Sequence, residues 1–221
     1  MSGKLIVFEG VDGAGKATQT HRLVQRLEQA GYPVRQLTFP RYKEDSSMLV
    51  RMYLRGDFGK NPGDVNPYAA STFYAVDRYA SYKQDWGAYY EAGGLLVTDR
   101  YTTSNAVHQG AKLPAAEREA FLDWLFSFEY GLMGLPKPDL VLYLDLPAEL
   151  SAALRRQREQ STGRSADIHE ADEAYLRACC ENARAVADDA GWTRIDCADC
   201  GRIRPVEEIH EMVWRQVSPL L

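Results

Sequence analysis

The stretch KLIVFEGVDGAGKAT, residues 4–18, carries most of the information about the fold. It begins with a continuous apolar run, which predicts a strand buried on both faces of a sheet. Glycines and a lysine follow in the arrangement G-x-x-x-x-G-K, in which backbone N–H groups surround phosphate oxygens and the lysine contacts the β- and γ-phosphates. A strand, a glycine loop and a helix in this order are the structural setting of that motif. The stretch therefore predicts a nucleotide-binding site.

The loop departs from the usual pattern at one position. A hydroxyl normally follows the lysine and reaches the bound Mg²⁺, but Ala17 follows Lys16 here and the hydroxyl comes one residue later, at Thr18. The glycines still allow the backbone to converge on phosphate oxygens, so we expect the loop to bind ATP. The residues predicted to do so are Gly10, Asp12, Gly13, Ala14, Gly15, Lys16, Ala17 and Thr18.

The composition predicts one compact domain spanning residues 1–221. The chain is 45% hydrophobic, with 26 Lys and Arg against 31 Asp and Glu. This mildly negative balance argues against a broad nucleic-acid or acidic-membrane surface. The opening residues do not resemble a signal peptide, and no apolar run approaches the roughly 20 residues that span a bilayer. We expect a soluble, cytoplasmic protein with small-molecule partners.

The four cysteines are interpreted as ordinary thiols. Cys197 and Cys200 form a C-A-D-C pair, which raises the possibility of a zinc or redox site. However, Cys179 and Cys180 are adjacent in a helix-like stretch, and this is not the spacing of a four-cysteine zinc site. The pair also lies near the C-terminus, whereas a thioredoxin-like motif would follow a strand early in a βαβ unit.

Strand-like and helix-like stretches alternate along the whole chain. The strand-like runs are KLIVFEG, VRQLTF, GLLVTDRY, DLVLYLDL and WTRIDC, and a long helical region is predicted from about Pro67 to Glu91. This alternation predicts an α/β fold with a five-stranded parallel sheet and helices on both faces. Ligands of such sheets bind at the carboxyl ends of the strands. Those ends are predicted after Phe8, Phe39, Thr98 and Leu144.

The phosphate loop alone does not separate the classes of nucleotide-binding protein. A GTPase would carry a guanine-reading N-K-x-D sequence after a later strand, and the chain has none. A motor-type ATPase would carry an apolar strand that ends in aspartate, which LLVTD partly fits. Arg100 follows that aspartate at once, however, and an arginine suits a second anion better than it suits water activation.

Five segments together resemble the thymidylate kinase family: FEGVDGAGK, FPRY, FYAVDRY, DRYTTSNA and GLPKPDLVLYLDL. The resemblance covers the chain from Lys4 to about Met212. It implies a three-layer P-loop kinase fold with a lid segment and transfer of the γ-phosphoryl group of ATP to dTMP, giving dTDP and ADP. It also implies Mg²⁺ as cofactor and a homodimer.

The resemblance assigns an acceptor site residue by residue. Asp12 matches the aspartate that contacts the sugar 3′-hydroxyl, and Tyr74 stands where the family usually stacks phenylalanine on thymine, although the adjacent Phe73 is an alternative. Asn105 matches a residue that reads the thymine edge, and His108 replaces a tyrosine near the sugar. The arginine guanidinium groups suit a phosphate dianion or a base edge. The full predicted set is Asp12, Phe39, Arg41, Tyr42, Tyr74, Arg78, Arg100, Asn105 and His108.

The charged segment of about residues 155–171 matches the lid of the family by position. The resemblance makes Arg164 the lid arginine that completes a catalytic set with Lys16, Arg100 and Asp99; Arg155, Arg156 and Arg158 are weaker candidates. Asp167 and Glu170 lie three residues apart, so on a helix their carboxylates would share a face. Carboxylate oxygens suit Mg²⁺. We therefore expect metal-side carboxylates at Asp99, Asp167 and Glu170.

Two other functions remain compatible with the sequence. One is a related P-loop kinase that acts on another nucleoside monophosphate or on a deoxynucleoside. The other is a nucleotide-binding regulator that lacks turnover. A panel of substrates would separate the first, and ATP binding without phosphoryl transfer would favour the second.

Overall fold

The structure is a computed structural model that describes residues 2–154, 167–170 and 172–221. Most of the predicted lid, including Arg155, Arg156, Arg158 and Arg164, lies outside the described residues.

The core is a five-stranded parallel sheet in the order β2-β3-β1-β4-β5. This confirms the predicted α/β fold class. Phe8 of the central strand lies opposite Asp99, and Gly10 lies opposite Leu144. The carboxyl ends of the three middle strands therefore meet at one edge of the sheet. The strands are β1 (Lys4–Gly10), β2 (Val34–Thr38), β3 (Leu95–Asp99), β4 (Leu140–Asp145) and β5 (Thr193–Asp196).

Helices cover both faces of the sheet. Their bounds are α1 (Lys16–Gln29), α2 (Met48–Leu54), α3 (Pro67–Ser81), α4 (Gly87–Glu91), α5 (Thr102–His108), α6 (Ala115–Phe126), α7 (Glu173–Asp189) and α8 (Val206–Val217). A π-helical turn, Tyr82–Trp86, joins α3 to α4, so the predicted helical region of residues 67–91 is continuous. A second π-helical turn, Ser127–Leu132, follows α6. Residues 148–154 are also helical.

The central strand is buried on both faces, which explains its unbroken apolar sequence. Ile6 and Phe8 pack into one core cluster together with Leu23 of α1. Leu5 and Val7 point the other way and pack with a second cluster that contains Trp86, Leu96 and Tyr101. Side chains alternate along a strand, so one strand supplies both halves of a three-layer core. Within the described ranges, no helix is both long and apolar enough to cross a membrane.

The C-A-D-C pair lies in a small hairpin after β5. Its strands are β6 (Ala198–Asp199) and β7 (Arg202–Ile203), and Cys200 enters the turn with φ of 46°. Extended residues separate Cys197 from Cys200 by about 10 Å, whereas disulfide Cα atoms lie less than about 7 Å apart. All four cysteines are free thiols. The hairpin geometry favours the interpretation as ordinary thiols.

Candidate active site

The loop between β1 and α1 has the backbone form that phosphate binding requires. Gly13 and Gly15 have φ of 89° and 88°, a left-handed conformation that glycine adopts without strain. The buried Lys16 folds across the loop, and its Nζ donates to the carbonyls of Gly10 at 2.8 Å and Val11 at 3.1 Å. Burial lowers the pKa of Lys16, and the nearby Arg100 lowers it further. The negative charge of an incoming phosphate would oppose both effects and raise the pKa of Lys16.

A cavity of about 610 Å³ opens above this loop. The residues from Asp12 to Thr18 line one side, and Cys197, Ile203 and Arg204 of the hairpin region line the other. Its size suits a nucleotide. The hairpin wall could not be predicted from the sequence, because its two-residue strands are too short to leave a periodic pattern. The residues predicted at the loop do come together, except that Gly10 supports the loop from the strand end.

Asp99, at the end of β3, lines the same cavity. Its Oδ1 is buried, and no described residue donates a hydrogen bond to it. A buried carboxylate oxygen usually has a partner, so this atom is suited to a water shell or a hard cation. It is the observation that makes the loop edge chemically compatible with Mg²⁺.

A second cavity, of about 170 Å³, lies beside the first. It contains eight of the nine predicted acceptor residues: Asp12, Phe39, Tyr42, Tyr74, Arg78, Arg100, Asn105 and His108. Asp12 and Arg100 line both cavities. We call the second cavity the acceptor pocket, and these two shared residues mark the boundary where it meets the phosphate loop.

Arg100 is held in a strained position at that boundary. Its φ of 69° is uncommon for a residue with a side chain, and such strain is concentrated at functional sites. Its backbone N–H donates to the carbonyl of Phe8 at 3.1 Å, because β3 ends there against β1. The guanidinium forms an ion pair with Asp12 and lies 3.1 Å from Nε2 of His108. The positive φ of Arg100 thus directs its side chain toward the acceptor pocket.

Arg78 has a different environment. It is 1% exposed, and it donates to both carboxylate oxygens of Glu129, from Nε at 2.7 Å and from Nη2 at 2.5 Å. Burial by itself lowers the pKa of Arg78, but the facing Glu129 raises it above its ordinary value. Nη1 lies 3.4 Å from the carbonyl of Tyr101. Each of the three guanidinium nitrogens is therefore bonded within the fold, although Arg78 also lines the acceptor pocket.

Arg41 is positioned by a buried aspartate. Asp77 is 1% exposed; it accepts from the backbone N–H of Arg41 at 2.8 Å and from Ser46 Oγ at 2.6 Å. Among the described residues, Arg41 is the predicted acceptor residue that is absent from the pocket lining. Asp77 was missed at the sequence level, although it directly precedes Arg78 in AVDRY.

The structure separates the two candidate aromatics of α3. Tyr74 lines the acceptor pocket, whereas Phe73 packs against Tyr53 and Phe58 at ring-centroid distances of 6.4 and 5.7 Å. Burial raises the pKa of Tyr74 well above its ordinary value, so its hydroxyl stays neutral. Tyr74 is thus the ring available to a planar ligand.

Gln109 is a pocket residue that the sequence analysis did not name. It is 1% exposed and lines the acceptor pocket. Within the described ranges its carboxamide makes no close hydrogen bond, and the polar group that faces it is the hydroxyl of Tyr53. A carboxamide offers one donor and one acceptor group, as a nucleobase edge does. Its position in the pocket is the only sign of a role for Gln109, since no sequence motif includes it.

Residues 168–170 form a turn, so the expected helix with Asp167 and Glu170 on one face is wrong. Asp167 Oδ1 instead accepts from the N–H groups of His169 and Glu170, both at 2.9 Å. Short-range capping of this kind competes with helix formation. Asp167 and Glu170 line the acceptor pocket, whereas Asp99 lines the other cavity. No group of three or more His, Cys, Asp or Glu within the described ranges is arranged to hold a metal.

A parallel sheet with a phosphate loop after its central strand, next to a second pocket lined by arginines, defines a P-loop kinase of small molecules. A sequence profile of the thymidylate kinase family matches residues 8–213. The chain belongs to the thymidylate kinase family.

Individual relatives agree with this assignment. The thymidylate kinase of Mycobacterium tuberculosis (strain H37Rv) is 35% identical over 176 residues, covering 76% of this chain and 78% of that protein. That of Cyanothece sp. is 33% identical over the full length of both chains, and the human one is 36% identical over 70% of this chain and 65% of its own. The solved thymidylate kinase of Candida albicans superposes with a TM-score of 0.72 at 20% identity, covering 99% of this chain and 92% of that one, which supports the fold.

Proposed function

We propose that this chain transfers the γ-phosphoryl group of ATP to dTMP, giving dTDP and ADP, as a step toward dTTP. The observation that carries the proposal is the pair of cavities that share Asp12 and Arg100. Phosphoryl transfer depends on aligning donor and acceptor and on stabilising the charge between them. A donor phosphate chain on the loop and an acceptor phosphate at Arg100 would meet at this boundary.

The donor is ATP, bound by the loop residues. Lys16 leaves the carbonyls of Gly10 and Val11 and contacts the transferring phosphate, while the loop N–H groups and the start of α1 hold the others. The hairpin residues Ile203 and Arg204 contact the base side. Arg164 acts as the catalytic arginine of the lid, an assignment that comes from the family resemblance of the sequence.

The acceptor is dTMP, and its parts have separate partners. Tyr74 stacks on the thymine ring, since an aromatic face suffices for stacking. Asn105, Gln109 and Arg78, which line the same pocket, read the base. Arg100 holds the phosphate. Asp12 and His108 complete the pocket near the sugar, and Phe39 and Tyr42 complete it near the phosphate. Arg41, which Asp77 holds outside the lining, contacts the phosphate from the neighbouring loop.

Magnesium accompanies ATP, and its chemistry is to neutralise charge on the phosphates. Asp99, whose Oδ1 has no partner among the described residues, would hold the ion through water beside the loop, where Ala17 offers no hydroxyl. Asp167 and Glu170 would hold the same ion through water from the acceptor side, since both line that pocket. The three carboxylates therefore lie in two cavities and do not form the single cluster expected from the sequence.

The working form is a cytoplasmic homodimer that associates through the outer face of α3. Val76 and Tyr79, 47% and 37% exposed, lie three residues apart and therefore on one side of this helix. Exposed apolar neighbours of this kind mark association surfaces.

The test is a coupled assay of ADP release with ATP and a panel of acceptors: dTMP, dUMP, dCMP and thymidine. We expect dTMP to give the highest kcat/KM, and Lys16→Met to abolish turnover while the Tm is unchanged. Turnover of another acceptor at higher kcat/KM would replace dTMP with that substrate. ATP binding without turnover of any acceptor would favour the regulator.

A further inference from the structure

A chain of hydrogen bonds ties residues 167–170 to the body of the protein beside the acceptor pocket. Nζ of Lys112 lies 2.8 Å from the hydroxyl oxygen of Tyr53, and that oxygen lies 2.7 Å from Nε2 of His169. Lys112 lies after α5, Tyr53 lies near the end of α2, and His169 lies before α7. We call them the Lys112–Tyr53–His169 chain.

The proton positions in this chain follow from its chemistry. A lysine ammonium has only donors, so Tyr53 accepts from Lys112. Its own proton goes to Nε2 of His169 at 2.7 Å, since the other acceptor in reach, the carbonyl of Pro62, is farther away at 3.4 Å. Nε2 of His169 can accept this proton when the ring carries its own proton on Nδ1. Tyr53 is fully buried. Its hydroxyl therefore cannot replace either partner with bulk water.

Lys112 is itself fixed from two sides. It also donates to the carbonyl of Val65 at 3.0 Å, and its Nζ lies 5.0 Å from the centre of the Tyr53 ring. Burial lowers the pKa of Lys112 to about 8, so it still carries its charge at pH 7. A cation in this position polarises the Tyr53 hydroxyl and strengthens the bond to His169.

The segment held by this chain forms part of the pocket wall. Asp167, His169 and Glu170 line the pocket, and the N–H of Ile168 donates to the carbonyl of Leu54 at 3.2 Å. The ring of His169 stacks on His108, with centroids 5.9 Å apart and an interplanar angle of 19°. His108 in turn contacts Arg100. A shift of the segment would therefore move groups that face the acceptor.

We propose that Lys112 and Tyr53 are positioning residues, which hold His169, and with it Asp167 and Glu170, in the wall of the acceptor pocket and thereby set the affinity for the acceptor nucleotide. This rests on the proposed function, which makes that acceptor dTMP. Within the described ranges, neither Lys112 nor Tyr53 lines the pocket. Both act through His169.

The experiment compares Tyr53→Phe and Lys112→Met with two matched controls. Tyr82→Phe removes a hydroxyl that donates to Glu91 at 2.7 Å, and Lys4→Met removes an ammonium that donates to the carbonyl of Leu220. Steady-state kinetics give KM for dTMP and for ATP. Amide hydrogen exchange in the absence of ligand, followed at Ile168, reports directly on docking of the segment.

We expect Tyr53→Phe and Lys112→Met each to raise KM for dTMP about fivefold to tenfold, the loss of roughly one hydrogen bond. KM for ATP should stay within twofold, and Ile168 should exchange faster. The double variant should be no worse than either single one, because the two bonds act in series. Lys112→Arg, which keeps a charged donor, should restore most of the affinity. Neither control should change these values.

Unchanged exchange at Ile168, equal rises in both KM values, or faster exchange with an unaltered KM for dTMP would each overturn the proposal. If Tyr53→Phe does not fold, the Lys112 variants decide alone. If the wild type does not use dTMP while exchange is still accelerated in both variants, the proposed function fails and the positioning role stands.

Discussion

Arg78 and Glu129 form a buried ion pair that the fold needs independently of any ligand. Glu129 is fully buried, and Thr102 Oγ1 also donates to it at 2.8 Å. Removing one partner of such a pair leaves an uncompensated buried charge, which costs about 3–5 kcal/mol. We expect Arg78→Met to lower the free energy of unfolding by that amount in urea titrations. Arg78→Met combined with Glu129→Gln should lose clearly less, because no charge is then stranded; equal losses would contradict this.

Arg100 differs because its side chain is partly exposed and faces the acceptor pocket. Arg100→Ala should weaken dTMP binding about tenfold to a hundredfold, since a charge-assisted hydrogen bond contributes about 1.5–3 kcal/mol. ATP binding should change much less. Calorimetric titrations of both nucleotides check this, with Arg100→Lys as the variant that keeps the charge and loses the planar fork. Equal losses for both nucleotides would place the acceptor phosphate elsewhere.

At the scale of elements, the hairpin after β5 gives Cys200 a solvent exposure that the other three cysteines lack. Cys200 is exposed at its tip, while Cys179, Cys180 and Cys197 are buried. Burial raises the pKa of Cys179 and Cys197 to about 12. Thiolates are the reactive form, so iodoacetamide should modify one thiol quickly in the native protein. Cys200→Ala should abolish that fast phase, and rapid modification of two or more thiols in the variant would contradict the burial.

Lys112, which follows α5 and contacts Tyr53 of α2, makes the free energy of unfolding depend on pH. Its native pKa of about 8 lies below the ordinary 10.5, and the groups facing it, Tyr53, His169 and Cys179, are neutral. The unfolded chain therefore binds more protons between about pH 8 and pH 10.5, and stability rises with pH there. Relative to Lys112→Met, the wild type should gain about 2 kcal/mol in unfolding free energy from pH 8 to pH 10. If the difference in unfolding free energy between the two proteins does not change from pH 8 to pH 10, Lys112 has its ordinary pKa.

At the scale of the whole molecule, the proposed dimer makes a direct prediction. Val76→Asp and Tyr79→Asp should shift the sedimenting species from dimer to monomer, because a carboxylate in an apolar interface is costly to desolvate. Leu132→Asp is the matched control, since Leu132 is 85% exposed and lies outside α3. A monomeric wild type would contradict the dimer itself. Dissociation caused by Leu132→Asp alone would show that the interface does not lie on α3.

The sequence alone determined the layout of the molecule. The parallel strands are buried on both faces and therefore appear as apolar runs, and the phosphate loop is a local motif whose glycines and lysine lie within residues 10–16. Because strand ends meet at one edge, residues following those strands, such as Asp12 and Arg100, were predicted to share a site. The structure places them together.

Tertiary structure decided which partner each charged group takes. Arg78 and Arg100 look alike in the sequence, but Glu129, 51 residues away, occupies the first, and Asp12, 88 residues away, faces the second. The same holds for the turn at residues 168–170, whose docking against Tyr53 and Leu54 no local pattern records. Apolar burial depends on periodicity along the chain, whereas a hydrogen bond or ion pair requires two side chains to meet within about 3 Å. That meeting is fixed by how the elements pack.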